Sequence, residues 1–394
     1  MRKFFQEFLD FFRKGDMILL GLCIATTLYG LVILSSVTAD ARATRFVVIQ
    51  LVAAVLGIFL YAVISSIDLD LIMEYRLPLV IFNVCFLLLL LPFGVEHGGN
   101  RSWLKFPGFP VEIQVAEILK TTYILIAASV MSAHQSRLSK FWSVMHMVLH
   151  LGILVGLNMV LSKDAGVSLI FVFIFIGMTF AGGVSKGWFI AALSGITAGL
   201  PLIWNYVLKD HQKTRFMVLF DPSLDPNAID ERWHSNQALL SLTGGGLTGQ
   251  GLYNGRRTQS NGIGALQAQH TDYIFSAVGE ELGFIGCMAI ILLEFAIIAR
   301  IIYVGIHTPD FARRVVCFGA AAALIFQVTI NIGMNLGVMP VIGLTLPFIS
   351  YGGSSLVSMY AMMGLVSGVY ARPAPASHEL YIRAPFDLRS SRYQ

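Results

Sequence analysis

The chain has 394 residues, of which 56% are hydrophobic and 13% charged, with a formal charge of +4 and a mean hydropathy of +0.72. A soluble domain carries about a quarter of its residues as charges, so most of this surface must face lipid. The small, scattered positive charge excludes a nucleic-acid partner.

At the N-terminus, residues 1–16 hold Phe4, Phe5, Phe8, Phe11 and Phe12 among basic residues, the pattern of a short helix lying in the membrane interface. The apolar run that follows extends to about Val37. That is too long for the core of a cleaved signal peptide and long enough to cross the bilayer.

Apolar runs of spanning length recur near 17–37, 46–66, 77–95, 113–133, 143–161, 165–182, 186–208, 274–299, 315–337 and 344–370. Every backbone amide in hydrocarbon must be paired within its own segment, so these runs predict helices. The fold class is an all-α polytopic membrane protein with about ten transmembrane helices over 17–370. Cys23, Cys85, Cys287 and Cys317 all fall inside apolar runs and read as small hydrophobes.

With the N-terminus inside, the cytoplasmic segments hold fifteen Lys and Arg, including Arg76, Arg137, Lys140, Lys186, Arg300, Arg313 and Arg314. The short outer loops hold five: Arg42, Arg45, Arg101, Lys105 and Lys163. This excess places both termini in the cytoplasm, including a polar tail over 371–394. The large extracytoplasmic loop over 209–271 is too long for a plain connection, and its Trp233 and glycine cluster predict ordered, functional structure.

Ionisable groups inside spans carry the strongest functional signal. Glu117 and Lys120 stand at i,i+3 on one helix face, either as a polar pair in a cavity or as an interfacial pair. Asp164 opens the sixth span. His146 and His150 have the i,i+4 spacing of a two-histidine metal site, but no Glu follows the first, so hydrogen bonding to neighbouring helices is the expectation. Gly244-Gly245-Gly246, with Gly249 and Gly251, lacks the Lys-Ser/Thr of a nucleotide loop and predicts close backbone approach to a loop or a phosphate. His270-Thr271-Asp272 lies where the long loop returns to the membrane. A carboxylate there suits a general base or a cation ligand, or simply the N-terminal acid of a helix.

Gly99-Asn100-Arg101-Ser102-Trp103-Leu104, Gln114 through Lys120, Lys163 through Gly166, Gln212 through Arg215, Phe220-Asp221-Pro222, Gln237, Gly245 through Gly249, His270-Thr271-Asp272 and Leu346 through Ser355 together resemble the SEDS family of membrane glycosyltransferases, which includes RodA and FtsW. The resemblance implies a peptidoglycan polymerase in the bacterial cytoplasmic membrane that joins lipid II units and releases undecaprenyl pyrophosphate. It implies Asp272 as the essential carboxylate, acting as a base or holding a divalent cation (Mg²⁺ or Mn²⁺), with no nucleotide or organic cofactor. Trp103, Glu117, Lys120, Asp164, Gln237, His270, Thr271, Ser350 and Ser354 are the expected cavity or substrate residues. Arg101 and Arg215 are expected, on charge alone, to meet the pyrophosphate. A class B penicillin-binding protein and other wall-synthesis membrane proteins are the implied partners. The chain departs from the family at Val115-Ala116, where Pro-Ser is usual, at Lys163, where Pro is usual, and at Gln267-Ala268, where Pro-Glu is usual. The rival reading is a lipid II flippase, which would use the intramembrane charges as a headgroup path.

Overall fold

The computed structural model describes residues 14–38, 43–97, 99–108, 111–207, 213–214, 217, 221, 231–260, 262 and 264–373. The proposed interfacial segment up to residue 13, Arg215, most of 209–230 and the tail from 374 lie outside the described residues.

The helices, in chain order, are α1 (Met17–Val37), α2 (Ala43–Ser66), α3 (Leu69–Glu74), α4 (Arg76–Leu88) and α5 (Leu90–Phe93). They continue with α6 (Val115–Ala133), α7 (Phe141–Leu161), α8 (Ala165–Ala181), α9 (Lys186–Leu202) and α10 (Glu231–Gly245), and end with α11 (Ile274–His307), α12 (Phe311–Asn335) and α13 (Gly353–Ala371). Among the described residues nine helical stretches are long and apolar enough to cross a membrane, with α4 and α5 forming one of them. α8 is apolar and slightly shorter. The expected set of about ten spans is present.

Three boundaries differ from expectation. The last span begins at Gly353 rather than near 344. Pro340 and Pro347 cannot donate to a helix, and Gly337, Gly343 and Phe348 take positive φ, so 336–352 is irregular backbone. Such backbone survives at membrane depth only inside protein, and Leu346, Phe348 and Ile349 are buried. The eighth span runs on to His307. Between the third and fourth spans a small antiparallel sheet interrupts the helical architecture: β1 (Gly94–His97), β2 (Asn100–Leu104) and β3 (Ile113–Gln114), in that spatial order.

The long loop is ordered around α10, which packs on the start of α11. Its glycines have a structural use. Gly283 has φ +66° and breaks α11, which strands amides on one side of the break and carbonyls on the other. The amides of Phe284 and Ile285 donate to Gly246 O and Leu247 O, while Glu280 O and Glu281 O accept from the amides of Gln250 and Gly251. A Cβ on Gly249, itself at φ +80°, would lie 2.1 Å from Glu281 O. Of the two possibilities left by the sequence, the close backbone approach is to another segment of the chain.

Gly249→Ala should therefore lower stability by more than about 1 kcal/mol, because it combines a left-handed backbone with a backbone clash. Gly199→Ala, in open space on α9, should leave stability unchanged or raised. Thermal unfolding in detergent checks this, and equal melting temperatures would mean the interlock does not hold the break.

Candidate functional site

His270, Thr271 and Asp272 precede α11, so their carbonyls fall outside its hydrogen-bond ladder. Each is taken by another group. Tyr351 N donates to His270 O at 2.8 Å, and Ser350 Oγ donates to Thr271 O at 2.6 Å. Asn331 and Asn335, one turn apart on α12, both donate Nδ2 to Asp272 O at 3.0 Å. Asn331 Nδ2 also reaches Leu344 O, and Asn335 Oδ1 accepts from the amide and hydroxyl of Ser276. Gln50 of α2 completes the frame by donating to Ser350 O and accepting from Gly352 N.

This frame leaves the Asp272 carboxylate free. Among the described residues it has no hydrogen-bond or ion-pair partner, and its Oδ2 lies 3.7 Å from where a Cβ on Gly343 would stand. Burial pushes its pKa up to about 6. The His270 ring lies near Phe46 and Tyr351, with centroids 5.2 and 6.0 Å away, and burial lowers its pKa.

His270 and Thr271 form one wall of a cavity of about 610 Å³. Trp103, Ser354 and Tyr351 line it too, as do Arg45, Phe46, Lys105 and Glu112, which sequence reasoning did not select. Lys105 and Glu112 pair at 3.1 Å. Their signal was weak because each sits in a short polar segment with no distinguishing spacing. Asn331, Asn335 and Gln50 were missed for a related reason, since an uncharged amide inside a span carries little signal of its own.

Strand alternation explains the Asn100–Leu104 stretch: Ser102 and Leu104 point inward, and Arg101 and Trp103 point the other way. Arg101 does not reach the cavity. Its guanidinium donates to Gly94 O and Leu91 O, carbonyls that the end of α5 leaves open. The expected pyrophosphate contact at Arg101 is corrected accordingly, and Arg215 lies outside the described residues. Asp164 caps α8 through Val167 N and accepts from Ser102 Oγ at 2.9 Å, tying β2 to α8.

A divalent cation at Asp272 would need further donors. Among the described residues no group of three or more His, Cys, Asp or Glu stands together, so a cation there would take its remaining donors from a substrate pyrophosphate and water. His146 does meet a neighbour: its Nδ1 lies 3.4 Å from His134 Nε2, and His150 stacks beside it.

The family model described as "Cell cycle protein" (FTSW_RODA_SPOVE) matches residues 16–373. The chain belongs to the FtsW/RodA/SpoVE family. It is 32% identical over 375 residues to the probable peptidoglycan glycosyltransferase FtsW of Geobacter metallireducens, covering 91% of this chain and 95% of that one. It is 30% identical over 292 residues to the peptidoglycan glycosyltransferase MrdB of Escherichia coli K12, covering 74% and 76%. Its fold matches a chain of a solved peptidoglycan synthase complex, described as coordinating polymerization and crosslinking, with a TM-score of 0.78 at 28% identity over 92% of this chain and 99% of that one. It also matches the rod shape determining protein RodA of Thermus thermophilus, with a TM-score of 0.68 at 26% identity over 92% and 98%.

The remaining family motif residues stand apart from the cavity. Gln237 on α10 accepts from Arg257 Nη1, within the long loop. Ser350 lies behind the cavity and acts through Thr271 O and Leu346 N. Glu117 and Lys120 pair at 2.8 Å with side chains 6% and 1% exposed, and Lys120 Nζ also donates to Gln327 of α12. They are buried in protein and are not among the residues that line the cavity. They tie α6 to α12 in the packed interior, which corrects the expectation of an open polar cavity around them. The i,i+3 spacing gave the shared face but not what covers it.

Removing either charge alone, as Glu117→Gln or Lys120→Met, strands its partner and should cost about 3–5 kcal/mol. The double change Glu117→Leu with Lys120→Met should retain markedly more folded protein than either single change. Folded yield and melting temperature in detergent measure this. A double variant no better than the singles would mean the two charges act separately.

Proposed function

We infer that the chain is a peptidoglycan glycosyltransferase that polymerises lipid II in cell-wall synthesis. The donor is the growing glycan carried on undecaprenyl pyrophosphate, and the acceptor is the 4-hydroxyl of an incoming lipid II. The observation that carries the chemical assignment is the Asp272 carboxylate: half-buried, without a partner among the described residues, desolvated so that its pKa rises to about 6, and next in the chain to the cavity wall. A carboxylate stabilised by no donor is a stronger base than a solvated one, and a pKa near 6 leaves it deprotonated at neutral pH. It accepts the proton of the acceptor hydroxyl as that oxygen attacks the donor sugar's anomeric carbon and the pyrophosphate leaves. Arg45 and Lys105 in the cavity wall supply positive charge for a pyrophosphate. Trp103 offers an apolar face to a sugar. Dependence on Mg²⁺ or Mn²⁺ is checked by running the same reaction with a chelator.

The flippase reading draws on a second cavity of about 760 Å³, lined by Asp70, Glu74 and Arg76 at the far end of α6. Two observations weigh against it. Asp70 is paired with Arg313, so Glu74 stands against Arg76 and the wall carries no excess positive charge for a pyrophosphate, and Leu119, Tyr123 and Ile124 of α6 are buried between the two ends. The partner is a single-span class B penicillin-binding protein, a proposal supported by the likeness to a chain of a peptidoglycan synthase complex.

Asp272→Asn should lower glycan formation from purified lipid II by at least about 10²-fold while leaving lipid II binding little changed. For the wild type, the rate should fall as pH drops below about 6, because the base must be deprotonated to act. That limb should be missing from the variant's residual rate. Strands formed by Asp272→Asn at the wild-type rate would end the assignment. No strands from wild type with its partner and divalent metal present, together with lipid II translocation into vesicles, would favour the flippase.

Both termini are proposed to be cytoplasmic. With Cys85 replaced by Ala, an impermeant thiol reagent should label Tyr253→Cys in intact cells and leave Gln135→Cys unlabelled. The reverse pattern would invert the topology and place Asp272 on the cytoplasmic side.

A further inference from the structure

A third cavity, of about 680 Å³, lies within the long loop and shares no wall residue with the one at His270. Its wall is more polar than apolar, with Arg256, Arg257, Gln250, Asn254, Ser260 and Glu280 beside Leu240 and two glycines. Most of these groups are already held in place. Gln250 Oε1 accepts from Arg256 N and its Nε2 donates to Gly244 O, while Asn254 Nδ2 donates to Leu252 O. Arg257 is fixed by Gln237 and by Gly264 O. Glu280 is 1% exposed, and its Oε1 accepts from Arg257 N at 2.7 Å.

Two groups keep unused capacity. The Arg256 guanidinium is exposed and, among the described residues, has no hydrogen-bond or ion-pair partner. Among the described residues Glu280 Oε2 accepts no hydrogen bond, and it lies buried behind the wall surface. Fixed carboxamides and a hydroxyl, with a free guanidinium and a carboxylate, suit a ligand with many hydroxyl and amide groups and at least one anionic group. Among the described residues the wall has no aromatic ring and one large apolar residue, Leu240, which suits a polar ligand better than a prenyl chain. The volume is that of a site for a small ligand such as a disaccharide unit.

We propose that this cavity binds the polymer product, an acetamido-sugar chain bearing carboxylate-containing peptides, at a place separate from the Asp272 site. The proposal rests on the polymerase reading above. A strand held at a second point stays at high effective concentration near the transfer site when the pyrophosphate departs, so successive additions follow without release. The glycine interlock fixes the geometry between the sites, because Glu280 sits in the turn that Gly249 and Gln250 clasp.

The test uses the full chain in detergent and, as probe, soluble disaccharide-peptide fragments released from peptidoglycan by a muramidase, with binding read by saturation-transfer NMR. Wild type should bind saturably. Arg256→Ala and Asn254→Ala should each weaken binding roughly tenfold, the size expected for one lost charge-assisted contact. Arg256→Lys should fall between, and melting temperatures should stay unchanged. Binding to Asp272→Asn should match wild type. In polymerisation assays Arg256→Ala should give shorter strands while consuming lipid II at the same initial rate. Undiminished binding in both alanine variants, or no binding by wild type, would overturn the proposal. So would equal binding of an uncharged chito-oligosaccharide, or preferential binding of an acidic peptide without sugar. Wild type that binds the fragment but forms no strands would leave this site standing and remove the polymerase reading alone.

Discussion

A chain that returns from water to the membrane must satisfy its backbone without help from solvent, and this requirement governs the centre of the molecule. The carbonyls of His270, Thr271 and Asp272 precede α11 and belong to no helix. All three are accepted into a frame built from Tyr351 N, Ser350 Oγ, Asn331 and Asn335. A buried carbonyl left open costs about 1–3 kcal/mol, so the frame is strongly determined, and it fixes the direction in which Asp272 can point. With the backbone oxygen occupied by two carboxamides, the side chain receives none of the donors that would stabilise its anion. The raised basicity of Asp272 follows from the desolvation of a carboxylate held in this position.

The same accounting explains the broken helix below it. Gly283 interrupts α11 where it is buried, and buried unpaired amides are costly. The loop at Gly246–Gly251 takes up both sides of the break, so one glycine-rich segment acts as the missing helical turn. Two backbones can lie this close only because neither carries a Cβ at the crossing. The long loop is therefore joined through its backbone to the helix that follows Asp272. This gives a polar hollow in that loop a fixed position relative to the Asp272 carboxylate.

Charges within the spans serve mainly to join helices. Glu117 and Lys120 link α6 to α12 through Gln327. Asp16 caps α1 and pairs with Arg300 of α11, and Arg313, 1% exposed, meets Asp68 and Asp70 of the α3 segment. Pairs of this kind contribute little net stability relative to apolar packing, but each is expensive to half-remove. They favour one arrangement of helices over others that would bury the same apolar area. In a bundle where lipid offers no hydrophobic drive between helices, such directional contacts can decide which helices meet.

Composition, run length and the prolines and glycines were enough to read the class of protein and nearly all its spans, and they singled out His270-Thr271-Asp272 as the candidate segment. These are properties of local sequence: a bilayer sets the length of a helix, and a returning loop must deliver something polar to the boundary. The start of α13 was misplaced because hydropathy is blind to Pro347 and to the positive φ at Phe348. Tertiary structure alone decided which polar groups share a space. Arg101 and Trp103 occupy one face of one strand, yet only Trp103 reaches the cavity, because open carbonyls at the end of α5 capture the guanidinium. Glu117 and Lys120 share a helix face that α12 covers, whereas Arg45 and Glu112, far apart in sequence, meet in one wall. The number of spans and the candidate segment were legible because each depends on neighbours in the chain; which side chains share its cavity was not, because each one's place depends on what packs against it from a distant helix.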